Sequence, residues 1–315
     1  MTISPITRRA ALAGMGALAA SPALAKAPLL GVARPDFYRF KLGAFEVATI
    51  LDGVIQRGEP QSIFGTDQTP EAFAALAAAN FLPVDQIENG YTPVVLNTGA
   101  EVILFDTGNG AARRPGRGAL REILAANGLA PEQIDIVVIT HFHPDHVGGI
   151  MEGDGPAFPN ARYVASRLEF DWWRANAAVR GEAFERLLES TVFAVAENMT
   201  FLEDGRDVAS GVTLLAAHGH TPGHSVFHLE SEGRRLMICA DACNHYVFSL
   251  QRPEWHVRFD MDKEAAGRTR RRLLDMLATE RTPFTGYHMP FPAIGHVERF
   301  GDAFRYAPVS YQLNL

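Results

Sequence analysis

The sequence predicts an α/β fold, and three features carry that prediction. Apolar runs of strand length alternate with helical patterns along most of the 315 residues. One stretch reads strand, helix, strand in succession: Glu101 to Phe105, Gly118 to Asn127 and Ile134 to Ile139. His and Asp residues cluster directly after strand ends, where α/β folds generally place their sites. A hydrophobic content of 47% is enough for a large core. One large domain, residues 26–315, behind a leader is the organisation expected.

The leader is the reading of residues 1–25. Arg8 and Arg9 form a charged start, Ala13 to Ala20 a small apolar run too short to span a bilayer comfortably, and Ala23-Leu24-Ala25 a small-x-small cleavage site. The twin arginines resemble a Tat-type export signal, which would make the mature protein periplasmic or secreted. The alternative is an N-terminal anchor that is never cleaved. Cutting after Ala25 removes two arginines and no acid, so the formal charge moves from -7 to -7 - 2 = -9. An acidic mature chain argues against a nucleic-acid partner, which wants a basic patch or stripe. Arg268, Arg270, Arg271 and Arg272 do cluster, but Leu273, Leu274 and Leu277 give that segment an apolar side. The arginines read as its solvated face. The expected partner is a small-molecule substrate, with no stable membrane insertion after cleavage and a homodimer left open.

Past the leader, Phe37 to Lys41 and Phe45 to Leu51 read as two strands closed by Asp52-Gly53. Val54 to Gly90 loosens around one helical segment, Pro70 to Ala79; an entrance flap over a cleft and a surface excursion fit it equally. Thr92 to Asn97 and Glu101 to Phe105 pair across Thr98-Gly99-Ala100, and the second strand ends in Asp106. A carboxylate in a Gly-containing turn commonly bonds nearby backbone amides, so Asp106 reads as a support. The helix Gly118 to Asn127 stops at Gly128, and the buried strand Ile134 to Ile139 follows.

That strand runs into Thr140-His141-Phe142-His143-Pro144-Asp145-His146-Val147-Gly148-Gly149, three imidazoles and a carboxylate within six residues. Zn²⁺ favours His nitrogen and carboxylate oxygen, and such a cluster can supply two adjacent ions. Phe158 to Ala165 leads into another strand, and helices are expected at Arg167 to Ala177 and Glu182 to Ala196. The first carries Trp172, read as packing, and Trp173, read as lining an apolar substrate pocket. Val212 to Ala217 is a strand that runs into His218-Gly219-His220-Thr221-Pro222-Gly223-His224, where Pro222-Gly223 is a turn signal. His218 and His228 fit no ligand spacing. Arg234 to Ala240 is a strand that delivers Asp241, and an unpaired buried carboxylate wants cations beside it. A helix from Lys263 to Thr279 precedes the short strand Pro283 to Tyr287, which ends in His288; His296 reads as structural and Phe304 to Tyr311 as the final strand. Cys239 and Cys243 would stand roughly 13 Å apart on one extended strand, beyond disulfide reach. Buried free thiols are expected there, unless the chain turns sharply after Asp241.

The stretch from His141 to His146 resembles the His-x-His-x-Asp-His signature of the metallo-β-lactamase-fold hydrolases. Phe37 to Gly53, the loop through Met151, His218 to His224 and His288 to His296 are similar to the branch containing methyl parathion hydrolase and related lactonases. The resemblance implies a four-layer αββα sandwich with the site along one edge of its sheets. It implies His141, His143 and His220 on one ion, Asp145, His146 and His288 on the other, Asp241 bridging both, and His224 beside the ligands. The cofactor implied is two divalent metal ions, Zn²⁺ the expected pair. Two cations about 3.5 to 4 Å apart can share a hydroxide at neutral pH and polarise the scissile bond, so no catalytic Ser or Cys is needed. Asp145 and Asp241 are the catalytic carboxylates on this reading. Lactones, such as acyl-homoserine lactones, or related esters lead as substrates, with organophosphate triesters the alternative. A β-lactamase is the weaker fit, because the resemblance is to a different branch. A non-catalytic binding protein stabilised by metal is weakest, since structural zinc sites are usually closed and four-coordinate. Some lactonases of the fold carry a substrate-binding tyrosine three residues after the bridging Asp. Here that residue is Asn244, taken as a substrate contact, with His245 and Tyr246 as possible stand-ins for the tyrosine.

Overall fold

The computed structural model describes residues 29–309 and 313–315. The leader reading lies outside the described residues, as does Tyr311 at the expected end of the last strand. Residues 29–34 are exposed and carry no helix or strand, and Pro35 to Leu315 form a compact unit of their own. Among the described residues no helix is long and apolar enough to cross a membrane.

Two seven-stranded sheets organise that unit. The first orders Phe37–Leu42, Phe45–Ile50, Val94–Asn97, Val102–Phe105, Ile136–Ile139, Arg162–Ser166 and Met199–Leu202. Its pairing is antiparallel up to Val102–Phe105 and parallel beyond. The second orders Asp207–Ala209, Val212–Ala216, Ser225–Ser231, Arg234–Ile238, Phe284–Thr285, Ile294–Phe300 and Ala303–Pro308. Only the pair Arg234–Ile238 with Phe284–Thr285 is parallel there.

The strand Ile136–Ile139 explains the layering. Successive side chains point to opposite faces. Ile136 and Val138 join Phe105, Val164, Leu214, Phe227 and Ile238 in a core between the sheets. Val137 and Ile139 join a second core under the helices Leu120–Ala126, Arg167–Asn176 and Glu182–Ser190, through Leu124, Trp173, Phe184 and Leu188. Both faces are therefore dry, which is why the strand reads as an unbroken apolar run. On the far side, Leu273, Leu274 and Leu277 of the helix Lys263–Glu280 cover the second sheet through Met237, Phe284 and Phe304. Each such fully buried side chain gains roughly 2 kcal/mol from leaving water. The result is helix, sheet, sheet, helix: the expected αββα sandwich.

Two segments depart from expectation. Val54 to Gly90 is a two-stranded ribbon, Gly53–Gly58 against Gln86–Tyr91, with the helix Pro70–Ala79 between its strands. The helix expected from Glu182 to Ala196 stops at Ser190. Thr191 Oγ1 turns back onto Leu187 O at 2.6 Å there, and the β-branched pair Thr191-Val192 disfavours continuation. Cys239 and Cys243 are buried and free, and the chain turns directly after Cys239 into the short 3₁₀ segment Ala240–Ala242.

Candidate metal centre

Four strand ends along one edge of the two sheets deliver the seven side chains. His141, His143, Asp145 and His146 follow Ile136–Ile139, His220 follows Val212–Ala216, Asp241 follows Arg234–Ile238, and His288 follows Phe284–Thr285. They gather in two groups: His141, His143, His220 and Asp241, and Asp145, His146 and His288, with ligand atoms inside each group within 4.8 Å of one another. Asp241 reaches both groups. Its Oδ1 lies 3.3 Å from His146 Nε2, and its Oδ2 lies 3.3 Å from His220 Nε2 and from His288 Nε2.

The rings are held from behind. Nδ1 of His141 stands 3.1 Å from Thr140 Oγ1, that of His146 2.8 Å from Asp106 Oδ2, that of His220 2.8 Å from Asp260 Oδ1, and that of His288 2.8 Å from Gly90 O. In front, Nε2 of His141, His143 and His146 and Oδ1 of Asp241 are buried without a hydrogen-bond partner. Buried polar atoms are normally satisfied, so four converging orphans of ligand chemistry fit divalent cations. His143 Nδ1 and His220 Nε2, 2.9 Å apart, face each other in the same manner.

Electrostatics divides the cluster. Burial, then the neighbouring imidazoles, holds His141 and His143 well below the usual imidazole range. Burial also opposes charge on His146, but Asp106, Asp241 and Asp145 outweigh it and draw that ring well above the range. His220 is pushed up to about 9 because Asp241 and Asp260 outweigh its burial. Asp241 is held well below the carboxylate range, its burial overcome by His288 and His146.

Several supporting residues escaped the sequence reading. Glu169, fully buried, accepts from Phe142 N at 3.0 Å and Trp173 Nε1 at 2.8 Å on one oxygen, and from Thr221 Oγ1 and Gly223 N, both at 2.8 Å, on the other. One carboxylate thus ties the loop of His141 and His143 to that of His220. Gly223 permits the approach, since a Cβ there would stand 2.1 Å from Glu169 N. The Tyr287 ring packs against His146 with centroids 3.9 Å apart and planes tilted by 30°, while its hydroxyl donates to Asp145 O at 2.6 Å. Asp106 accepts from Thr140 N at 2.8 Å and Thr140 Oγ1 at 2.9 Å, the supporting role expected of it. His224 places Nδ1 3.1 Å from Ala217 O and accepts from Asp241 N at 3.2 Å, fixing the backbone of that residue.

A cleft of about 350 Å³ opens over the two groups. His143, Asp145, Asp241, Asn244 and His288 line its floor, and the ribbon lends Ile55, Arg57, Asn89 and Tyr91 as a wall. Asn244 therefore lies where a substrate contact was expected, with Nδ2 donating to Asp241 Oδ2 at 3.1 Å. Trp173 does not line the cleft, a correction to its expected role. It is fully buried against Phe184 and donates to Glu169 four residues earlier, a spacing on one helix face that could have revealed it. His245 and Tyr246 are absent from the lining as well. His245 Nδ1 accepts from Val247 N at 3.0 Å and Phe248 N at 3.2 Å instead. Arg270 also corrects the sequence reading, because it is buried rather than solvated and ion-paired with Asp260 at 2.8 Å.

This geometry agrees with what the chain is similar to. Residues 90–280 match the Metallo-beta-lactamase superfamily. The chain belongs to this superfamily. Its curated relatives include an N-acyl homoserine lactonase of Bacillus cereus, 29% identical over 116 residues, which are 37% of this chain and 41% of that protein. The chain thus spans about two fifths of that relative's length. Among solved structures of the superfamily fold, AidC, a dizinc quorum-quenching lactonase in complex with a product, superposes with a TM-score of 0.79 and 26% identity, over 88% of this chain and 98% of that one. The hydrolase AbOPH gives 0.82 at 23% identity, over 89% of this chain and all of the other, and shares the fold.

Proposed function

We propose that this chain is a hydrolase of lactones and related carboxylic esters that works with two divalent cations, a zinc pair foremost. The observation that carries the reading is the convergence of seven ligand-type side chains, four of their atoms buried and unpartnered, beneath an open cleft that His143, Asp145, Asp241 and His288 line. A purely structural zinc site would be closed. Similarity to the B. cereus lactonase and to AidC supports the choice of bond.

His141, His143 and His220 would hold one cation, and Asp145, His146 and His288 the other, with Asp241 between. Bound there, such cations supply Lewis-acid polarisation of a carbonyl and a solvent nucleophile at neutral pH. The protein's own part is to hold the ligands rigid through Asp106, Glu169 and Asp260, and to keep Asp241 oriented through Asn244 and His224. The cleft walls position the ester over that floor.

The test is metal content by elemental analysis, run beside hydrolysis of an acyl-homoserine lactone and of methyl parathion, with and without chelator. Close to two metals per chain with chelator-sensitive lactone turnover is the expected result. Preferential turnover of methyl parathion would move the assignment to phosphotriesters. One metal or none, with no turnover of either compound after reconstitution, would overturn the reading.

A further inference from the structure

The chain carries 29 basic against 36 acidic residues, yet four arginines line the cleft over the metal centre: Arg57, Arg113, Arg117 and Arg180. The only acids lining it are Asp145 and Asp241, both in the ligand groups. The four come from three separate segments. Arg57 lies on the ribbon strand Gly53–Gly58, Arg113 and Arg117 on the loop before the helix Leu120–Ala126, and Arg180 at the end of the 3₁₀ segment Ala177–Arg180. A single solvated charge run cannot produce that convergence.

Their partners sharpen the point. Among the described residues none of the four has a carboxylate within salt-bridge distance, whereas Arg114, on the same loop, pairs with Glu122 at 2.9 Å and Glu152 at 3.1 Å. The loop matches one arginine with acids and leaves the two that line the cleft without them. Aromatic rings steady three of the group. Arg57 stands 5.9 Å from the Phe259 ring, Arg117 5.7 Å from that of Tyr91, whose hydroxyl accepts from Arg117 Nη1 at 3.3 Å, and Arg180 5.2 Å from that of Phe184. A guanidinium resting near a ring keeps N–H edges free, and its planar fork matches the two oxygens of a carboxylate or a phosphate. An extended neutral acyl chain would instead strip water from these cations and return nothing.

We propose that the substrate carries an oxyanion, a carboxylate or a phosphate, at a distance from the scissile ester or lactone bond, and that these arginines bind it. This rests on the hydrolase reading above. In the reaction, the oxygen of water joins the acyl carbon, the acyl carbon–oxygen bond breaks, and the departing alkoxide takes a proton. An ester that carries the carboxylate on its acyl side therefore yields a dicarboxylate and an alcohol.

The experiment compares para-nitrophenyl esters of equal length on the metal-loaded protein: the hexanoate, the mono-ester of adipate, and its omega-phosphono analogue. The anionic esters should exceed the neutral one in kcat/KM by about tenfold or more, as expected for a charge-assisted contact, and the better of the two identifies the oxyanion. In Arg57→Gln, Arg113→Gln and Arg180→Gln the anionic-to-neutral ratio should fall by about the same factor. A variant that merely lost folded protein would lower both rates and leave the ratio alone. A second readout is calorimetric binding of adipamate, which should weaken about tenfold in the same variants. If no ester is turned over but adipamate binding depends on the arginines, the hydrolase reading fails and the anion site stands. A ratio at or below one in the wild type, or adipamate binding equal in wild type and all three variants, overturns the inference while leaving the hydrolase reading intact.

Discussion

Nδ1 of His220 lies 2.8 Å from Oδ1 of Asp260. The other oxygen of that carboxylate accepts from Arg270 Nη2 at 2.8 Å, and Arg270 donates further to Ala242 O at 2.9 Å and Pro253 O at 2.7 Å. Burial would raise the Asp260 carboxyl, but Arg270 and His220 outweigh it and hold it below the usual range. Removing the guanidinium strands a buried carboxylate behind a ligand ring. Arg270→Met should cost about 3 to 5 kcal/mol in urea denaturation. Asp260→Asn should weaken metal binding by about 10- to 100-fold in a competitive chelator titration. Unchanged stability in the first variant, with unchanged affinity in the second, would show that the chain from Arg270 to His220 is not coupled.

That chain also marks where the sequence was legible. The layers, and the placing of the seven ligand-type residues at strand ends, could be read because buried strands are continuous apolar runs and because chemistry clusters after them. Arg270 was misread because Arg268, Arg271 and Arg272 surround it, although it lies three, four and seven residues before Leu273, Leu274 and Leu277 on one helix face. The ribbon Gly53–Gly58 with Gln86–Tyr91 gave no signal, because Ile55 and Ile87 stand among Gln56, Arg57, Glu88 and Asn89 and neither strand has a fully buried face. The role of Glu169 in tying two loops together could not be found from the sequence. Trp173 donates from its own helix, but Phe142, Thr221 and Gly223 come from two distant loops, and that meeting exists only in the fold.

Glu169 makes a sharp test because all its partners donate. Glu169→Gln keeps size and shape but turns an NH₂ group toward two donors, whichever way the amide is placed. Two buried N–H or O–H groups then lose their acceptor, at roughly 1 to 3 kcal/mol each. A loss of about 2 to 6 kcal/mol is expected in chemical denaturation. Metal affinity should fall with it, since Phe142 and Thr221 sit beside the ligands His141, His143 and His220. A glutamine variant as stable as the wild type would mean that Glu169 is protonated and already donates.

Gly149 is where the metal loop closes on the neighbouring strand end. A Cβ there would stand 2.0 Å from Thr107 O, and Thr107 N donates to His146 O at 2.8 Å. The backbone cannot yield without moving His146. Gly149→Ala should therefore cost more than the ordinary ~1 kcal/mol of a point substitution and lower metal occupancy. Elemental analysis of the folded fraction would measure that occupancy, and full occupancy in the variant would show that the loop has room to shift.

The buried neutral histidines predict how stability depends on pH. Burial pushes His245 down to about 3, while an unfolded histidine titrates near ~6.5. Above the unfolded value both states are neutral and the contribution of the group is fully present. As the pH falls below it, the unfolded chain takes up a proton that the native chain refuses. Stability then declines by up to about 1.4 kcal/mol per pH unit until the native pKa is reached. His245→Asn retains an acceptor for Val247 N and Phe248 N but does not titrate, so it should remove one such slope. Urea denaturation of both proteins between about pH 6 and about pH 4 measures the difference. His224, lowered to about 3 by the same cause, declines equally in the two proteins and cancels. Parallel stability curves would mean that His245 takes up its proton in the native state, and that its acceptor bonds to Val247 and Phe248 do not hold in solution.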